Sequence, residues 1–407
     1  MAFYTKMSNA LLRMAVVWLF GTFCLSLSSQ TVSDSVYLDT VEEVIVQTTA
    51  PKPERENLIK RLLSNGLNFV AAPIASYQPE TSWAFGVVGG YYFHNKKIEN
   101  SKTSLVNFKA LATLNKQYEI SASVNVHIGR RQNWILYATL DYKHYTDNFY
   151  GIGNVYNNLM LDETGNISPI SYYYNSFALN IQPQNKVAEN LFVGLNLHAR
   201  IEEPKGLPKE ELGRRFNIVG FDRYTMFGLG MLLSYDTRDN TVYPYRGLFG
   251  KIVATHYFKL QNETSLNKIQ ADFRHFLPIY KQFIFAYQLY SEMTLPQKKQ
   301  RPFQMLPTFG GTDIMRGFRT NMWKDDIVAV AQAELRIPIW SIFRAAAFAS
   351  IGDVYCWENM DFEKPKIAYG VGLRVQFNKE RANVRFDVAR QNYDRDWYFY
   401  ITVNEAF

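Results

Sequence analysis

The chain has 407 residues, enough for two average soluble domains or one large barrel. Aromatics make up 15% of it and charged residues 20%, and its longest apolar run, Met14 to Leu27, is too short to span a bilayer, which excludes a bundle of spanning helices. The net charge of +7 is spread along the chain without a basic cluster, so no nucleic-acid partner is expected.

Residues 1–29 read as a signal peptide. Lys6 and Arg13 precede the apolar run, and Ser26-Leu27-Ser28-Ser29-Gln30 forms a small-residue exit, which puts the mature start near Gln30. A lipoprotein signal anchored at Cys24 is the alternative, but Phe23 is bulky where lipid-attachment sites take a small residue. Cys356 is then the one mature cysteine, and no internal disulfide is expected. Residues 30–66 read as a periplasmic lead-in with one short helix, which Pro53 opens, Leu58, Ile59, Leu62 and Leu63 stripe, and Asn65-Gly66 closes. Within this lead-in, "DTVEEVIVQTTA" faintly resembles the energy-coupling box of siderophore receptors, but such receptors need about 22 strands and a plug domain.

From residue 67 the apolar period becomes two and stays so to the end of the chain. Strands are predicted at 67–76, 82–93, 103–114, 117–128, 133–145, 168–181, 190–203, 223–235, 247–259, 266–279, 282–295, 326–338, 343–356, 366–377, 382–391 and 396–407. In the last of these, Trp397, Phe399, Ile401, Val403 and Phe407 share one face, opposite Tyr398, Tyr400, Thr402 and Asn404. A soluble β-sandwich also alternates, but it rarely needs ten-residue strands whose apolar face is aromatic. In lipid every backbone group must be paired, so the sheet has to close. The expected fold is all-β: one sixteen-stranded antiparallel transmembrane barrel over 67–407. The even count puts both ends in the periplasm and the long connections 146–167, 204–222, 296–325 and 357–365 outside.

Several stretches lie in a telling order: "FYGIGN" at 149–154, "SYDTRDNTVYPYRG" at 234–247, "GGTDIMRGFRTN" at 310–321, then the "YGVGLRV" and "RFDVA" strands and a terminal aromatic. Together they resemble the bacterial surface antigen superfamily of outer-membrane assembly and secretion barrels, the BamA- and TamA-like group. The resemblance covers about 67–407 and implies that the sixth loop, with Arg316, Gly317 and Phe318, folds back into the barrel. It also implies that Arg316 meets acidic residues on strands twelve and thirteen. Parity agrees for Glu334, which shares a face with Gln332 and Arg336 opposite Ala333 and Leu335. Asp353 is the second expected partner, on the face of Ile351 and Tyr355, in a strand that departs from the family pattern. A planar guanidinium held by two carboxylates would lock the loop; the bland alternative is a solvated Arg316. Members of the superfamily also carry periplasmic polypeptide-transport domains, and residues 30–66 are too few to make one.

No Gly-x-Ser-x-Gly, metal-ligand spacing or phosphate-cradling loop is present, and His256 and His275 read as barrel-wall residues. Neither an enzyme activity nor a cofactor is expected. The sequence supports an outer-membrane barrel of a Gram-negative bacterium that assists insertion or translocation of polypeptides. Its seam would lie between the first and last strands, where Pro73 cannot donate to a ladder and where Trp397, Phe399 and Phe407 form the terminal signal. Expected partners are outer-membrane lipid and lipopolysaccharide, unfolded outer-membrane or secreted polypeptides, and assembly-complex subunits. The alternative is a passive pore-forming or structural barrel.

Overall fold

A computed structural model describes residues 69–78, 82–94, 101–129, 132–154, 160–163, 165–258, 265–296, 301–358, 360, 365–378, 381–393 and 396–407. The signal-peptide and lead-in expectations lie outside these residues.

Sixteen antiparallel strands form one sheet in sequence order. They are β1 (Phe69–Gln78), β2 (Ser82–Phe93), β3 (Ser104–Thr113), β4 (Tyr118–Ile128), β5 (Trp134–Phe149), β6 (Ile170–Ala188), β7 (Leu191–Lys205) and β8 (Tyr224–Asp236). The second half comprises β9 (Gly247–Phe258), β10 (Leu266–Tyr280), β11 (Phe283–Thr294), β12 (Ile327–Trp340), β13 (Phe343–Tyr355), β14 (Lys366–Gln376), β15 (Asn383–Gln391) and β16 (Trp397–Val403). β16 comes back beside β1, which makes the sheet a nearly closed barrel.

Period-two sequence makes this barrel two-faced. Ile120, Leu140, Met231, Ile252, Ile351 and Val371 are exposed on the outside, where lipid would remove them from water. Their neighbours along each strand, such as Glu119, Ser234, Gln332 and Glu334, are buried toward the lumen. At the last strand the expected face holds for Trp397 and Phe399, 57% and 70% exposed, but Phe407 is only 4% exposed. The strand stops at Val403 and Asn404 takes a left-handed φ of 67°, which turns the chain inward. Phe407 therefore leaves the outer face and joins Tyr243, Phe276 and Ile284 in an interior cluster.

The two ends of the barrel differ. β6–β7, β10–β11 and β12–β13 are joined by two-residue turns at one end. At the other, β5 and β7 run past the predicted limits, to Phe149 and Lys205, and carry a dome of loops. Within the connection expected at 204–222 the dome forms a helix, α1 (Lys209–Phe216). Pro208 precedes it, Glu210 and Glu211 lie in its first turn, Arg214 and Arg215 in its last, and Asn217 closes it in the left-handed conformation. Leu212 of α1 is buried with Phe149, Tyr172, Phe221 and Phe303, which ties three loops into one cap.

Candidate functional site: a buried arginine cluster under the sixth loop

The loop between β11 and β12 dips into the barrel. Met315 takes a left-handed φ of 55° and Gly317 a φ of 110°, and the N–H of Phe318 donates to the carbonyl of Met315 at 3.2 Å. This tight turn pushes Arg316 away from solvent, and it is 2% exposed. Glycine is needed at 317 for two reasons. Its φ suits no other residue well, and an added Cβ would lie 3.2 Å from that of Ala368 and 3.3 Å from the carbonyl oxygen of Arg390. Met315, Phe318, Met322 and Trp323 pack with Val328, Val330 and Val354 of the wall.

Arg316 donates through Nη2 to Glu334 and through Nη1 to Asp387, both at 2.7 Å. Its guanidinium carbon lies over the Phe348 ring, 3.6 Å from the centroid. Burial pulls the pKa of Arg316 down, but the adjacent Glu334 and Asp387 carry it net upward, so its charge is fixed. Beside it, Gly317 donates its N–H to the Tyr400 hydroxyl at 3.0 Å, and Arg319 donates to the Tyr398 hydroxyl at 3.0 Å.

The pair belongs to a larger cluster. Arg336 donates to Glu334 at 2.9 Å, and Arg374 reaches Glu334 at 3.1 Å, Asp387 at 2.5 Å and Glu405 at 3.1 Å. Arg385 lies 3.4 Å from Asp387 and donates to the carbonyl of Thr312 in the loop at 2.9 Å. The wall makes room with glycine. A Cβ on Gly370 would lie 2.5 Å from the Phe348 ring, and one on Gly372 would lie 2.0 Å from the Asp387 carboxylate. The two glycines of "YGVGLRV" are thus the floor on which the arginine stack rests.

Asp353, the expected second partner of Arg316, lies elsewhere. It pairs with Lys366 at 2.5 Å. The register explains why: Glu334 faces Phe348, whereas Asp353 faces Ala329, five residues further along β12. At about 3.4 Å per residue that gap exceeds the reach of one side chain. Asp387 faces Gly372 and Tyr400, close to the level of Glu334. Parity alone places Asp387 inward with Arg385 and Ala389 along "RFDVA", a signal that a search confined to β12 and β13 passes over. Pro73 is exposed in β1, opposite Val87 of β2.

Residues 88–407 match the Omp85 superfamily domain. The chain belongs to the Omp85 superfamily. Among solved structures, CdiB from Acinetobacter baumannii is 13% identical with a TM-score of 0.53, over 83% of this chain and 59% of that chain. BamA from Haemophilus ducreyi lacking POTRA domains 1-3 is also 13% identical, with a TM-score of 0.49, over 83% of this chain and 69% of that chain. The likeness to CdiB shows a common barrel fold, in keeping with the superfamily assignment. No curated protein matches the chain.

Proposed function

We propose that this Omp85 barrel assists insertion or translocation of polypeptides at the outer membrane, through the β1–β16 seam, with the sixth loop acting as an internal strut. The carrying observation is the seam. Every sequential pair of barrel strands shares a hydrogen-bonded register, but among the described residues none joins β1 to β16. Tyr92 of β2 donates across it to Asn404 at 3.0 Å. Its flank holds an apolar groove of about 330 Å³ lined by Pro73, Val88, Phe386, Ile401 and Val403. An unpaired strand edge inside lipid is costly, and an incoming strand could satisfy it. In this reading residues 1–29 are a cleaved leader, 30–66 a periplasmic lead-in, and the short-turn end faces the periplasm. Arg316, Gly317 and Phe318, with Glu334, hold the wall that must stay rigid while the seam opens.

The test is reconstitution in liposomes with an unfolded outer-membrane barrel as client, scored by protease-resistant folded client. Cysteine pairs scanned from 70–74 against 399–403 should stop client folding when oxidised and release it when reduced. Folding at the bare-liposome rate with the seam free would favour the passive barrel.

A further inference from the structure

The motif at 234–247 has a role that the seam does not use. Between Asp236 of β8 and Gly247 of β9 run ten residues, 237–246, at the end where three other connections need only two. A hairpin needs two to five. The surplus does not hang in solvent, since Val242 and Tyr243 are 4% and 1% exposed.

We propose that the turn 237–246, seated on the tail 404–407, is a plug that closes the lumen at its short-turn mouth and must swing out before ions or a chain can pass. The contacts run across the barrel. Val242 packs with Tyr92 of β2 and Leu105 of β3, and Thr241 donates to the carbonyl of Thr103 at 3.2 Å. β2 lies seven strands from β9 in a ring of sixteen, almost diametrically opposite. On the other side the Tyr243 ring lies 5.1 Å from the guanidinium of Arg336 on β12 and 4.7 Å from that of Arg344 on β13. Tyr243 also packs on Ala406 and Phe407, and Arg336 donates to the main-chain oxygen of Phe407 at 2.9 Å. Arg381, in the β14–β15 turn, donates to Asp239 at 3.0 Å and stacks on Tyr245 at 4.4 Å. A segment that leaves β8 and touches β2, β3, β12 and β13 crosses the mouth.

The turn is also prefolded as a unit. Asn240 accepts from the N–H groups of Val242 and Tyr243 at 2.7 and 2.8 Å, and Asp239 from those of Tyr245 and Arg246 at 2.8 and 3.2 Å. Asp236 grips Arg238 with two bonds of 3.0 Å. At Gly247, φ is 111° and a Cβ would lie 2.4 Å from the carbonyl oxygen of Thr237, so the exit is a glycine pivot. The Asp-x-Arg-Asp and Gly of the motif are the frame of a rigid flap, and its two tips are apolar.

The plug stands independently of the seam reading, because its test needs no client. The purified full chain is placed in planar bilayers, with folding checked by heat-modifiable gel migration. The wild type should stay mostly closed, and replacing Val242 and Tyr243 together with glycine should raise mean conductance at least fivefold. In a Cys24→Ser, Cys356→Ser background, the pair Thr103→Cys with Thr241→Cys should close under oxidation, abolish residual openings and regain them on reduction. The proposal is overturned by a wild type that conducts steadily like an open barrel, by a folded double-glycine variant no more conductive than wild type, or by a cysteine pair that does not close. Should the double-glycine variant not fold, the cysteine pair decides.

Discussion

Removing Arg316 and removing its acidic partner should damage different things. The cluster holds four arginines (Arg316, Arg336, Arg374, Arg385) against three buried carboxylates (Glu334, Asp387, Glu405), with the exposed Asp313 also reaching Arg385 at 3.3 Å. It is also rich in donors: Nε of Arg316, Nη1 of Arg336 and Nη1 of Arg385 are buried without a protein partner. Arg316→Ala deletes two charge-assisted bonds to buried carboxylates, each worth about 1.5–3 kcal/mol. It leaves three arginines against three carboxylates, and Glu334 keeps Arg336 and Arg374. The net cost to the barrel should fall below the roughly 3–6 kcal/mol sum of the two bonds, because the buried charges then balance, while the loop loses its central anchor. Glu334→Gln spares the loop its bond to Asp387 but leaves four arginines with two carboxylates, the situation in which breaking a buried pair costs about 3–5 kcal/mol. Two assays separate the effects: protease access to residues 310–320 from the loop side, and the denaturation midpoint in micelles read by gel migration. Arg316→Ala should be cleaved fastest and Glu334→Gln should unfold earliest. Arg316→Lys should rescue cleavage only in part, because an ammonium cannot span two carboxylates in one plane. Equal rapid cleavage of wild type and Arg316→Ala, or a barrel hurt more by losing Arg316 than Glu334, would refute the argument.

Gly370→Val puts atoms within 2.2 Å of the Val388 carbonyl and 2.5 Å of the Phe348 ring, so its heat-modifiable folded band should be lost or sharply reduced, with Gly372→Val behaving alike. Asp353→Asn should leave cleavage at 310–320 unchanged, because Asp353 serves Lys366, yet lower the denaturation midpoint by an amount equivalent to about 3 kcal/mol. At the foot of the sixth loop, burial pushes the Asp325 carboxyl up to about 6 from 3.8. The folded state thus holds the proton more tightly than the unfolded chain, and this contribution is present at pH 4 and lost as pH rises through 6. Loop protection should be stronger at pH 5 than at pH 7.5 by about 1.4 kcal/mol, and Asp325→Asn should flatten that profile.

How far the sequence speaks depends on how local the physics is. Strand positions and faces were legible because a pleated strand alternates whatever lies opposite, so Glu334 and Gln332 could be turned inward by parity alone. Asp387 has the same parity, whereas Asp353 shares the alternation of the outward Ile351, and the strand register further sets Asp387 near the level of Glu334 and Asp353 far from it. Helix α1 was missed because eight residues show barely two turns of period, although Pro208, the charges at its two ends and Asn217 were all in view. Phe407 leaves the expected face because a single left-handed residue, Asn404, ends the alternation, and an asparagine inside an alternating run is too weak a signal to mark the strand's end. The glycines of β14 show the deeper limit. In the alternating pattern Gly370 and Gly372 look like weak positions in a strand. They become intelligible only when Phe348, Asp387 and Arg374 are seen lying over them. A buried cluster of four guanidiniums therefore rests on residues chosen for having no side chain, and the arginine of the sixth loop can enter only because that floor was left bare.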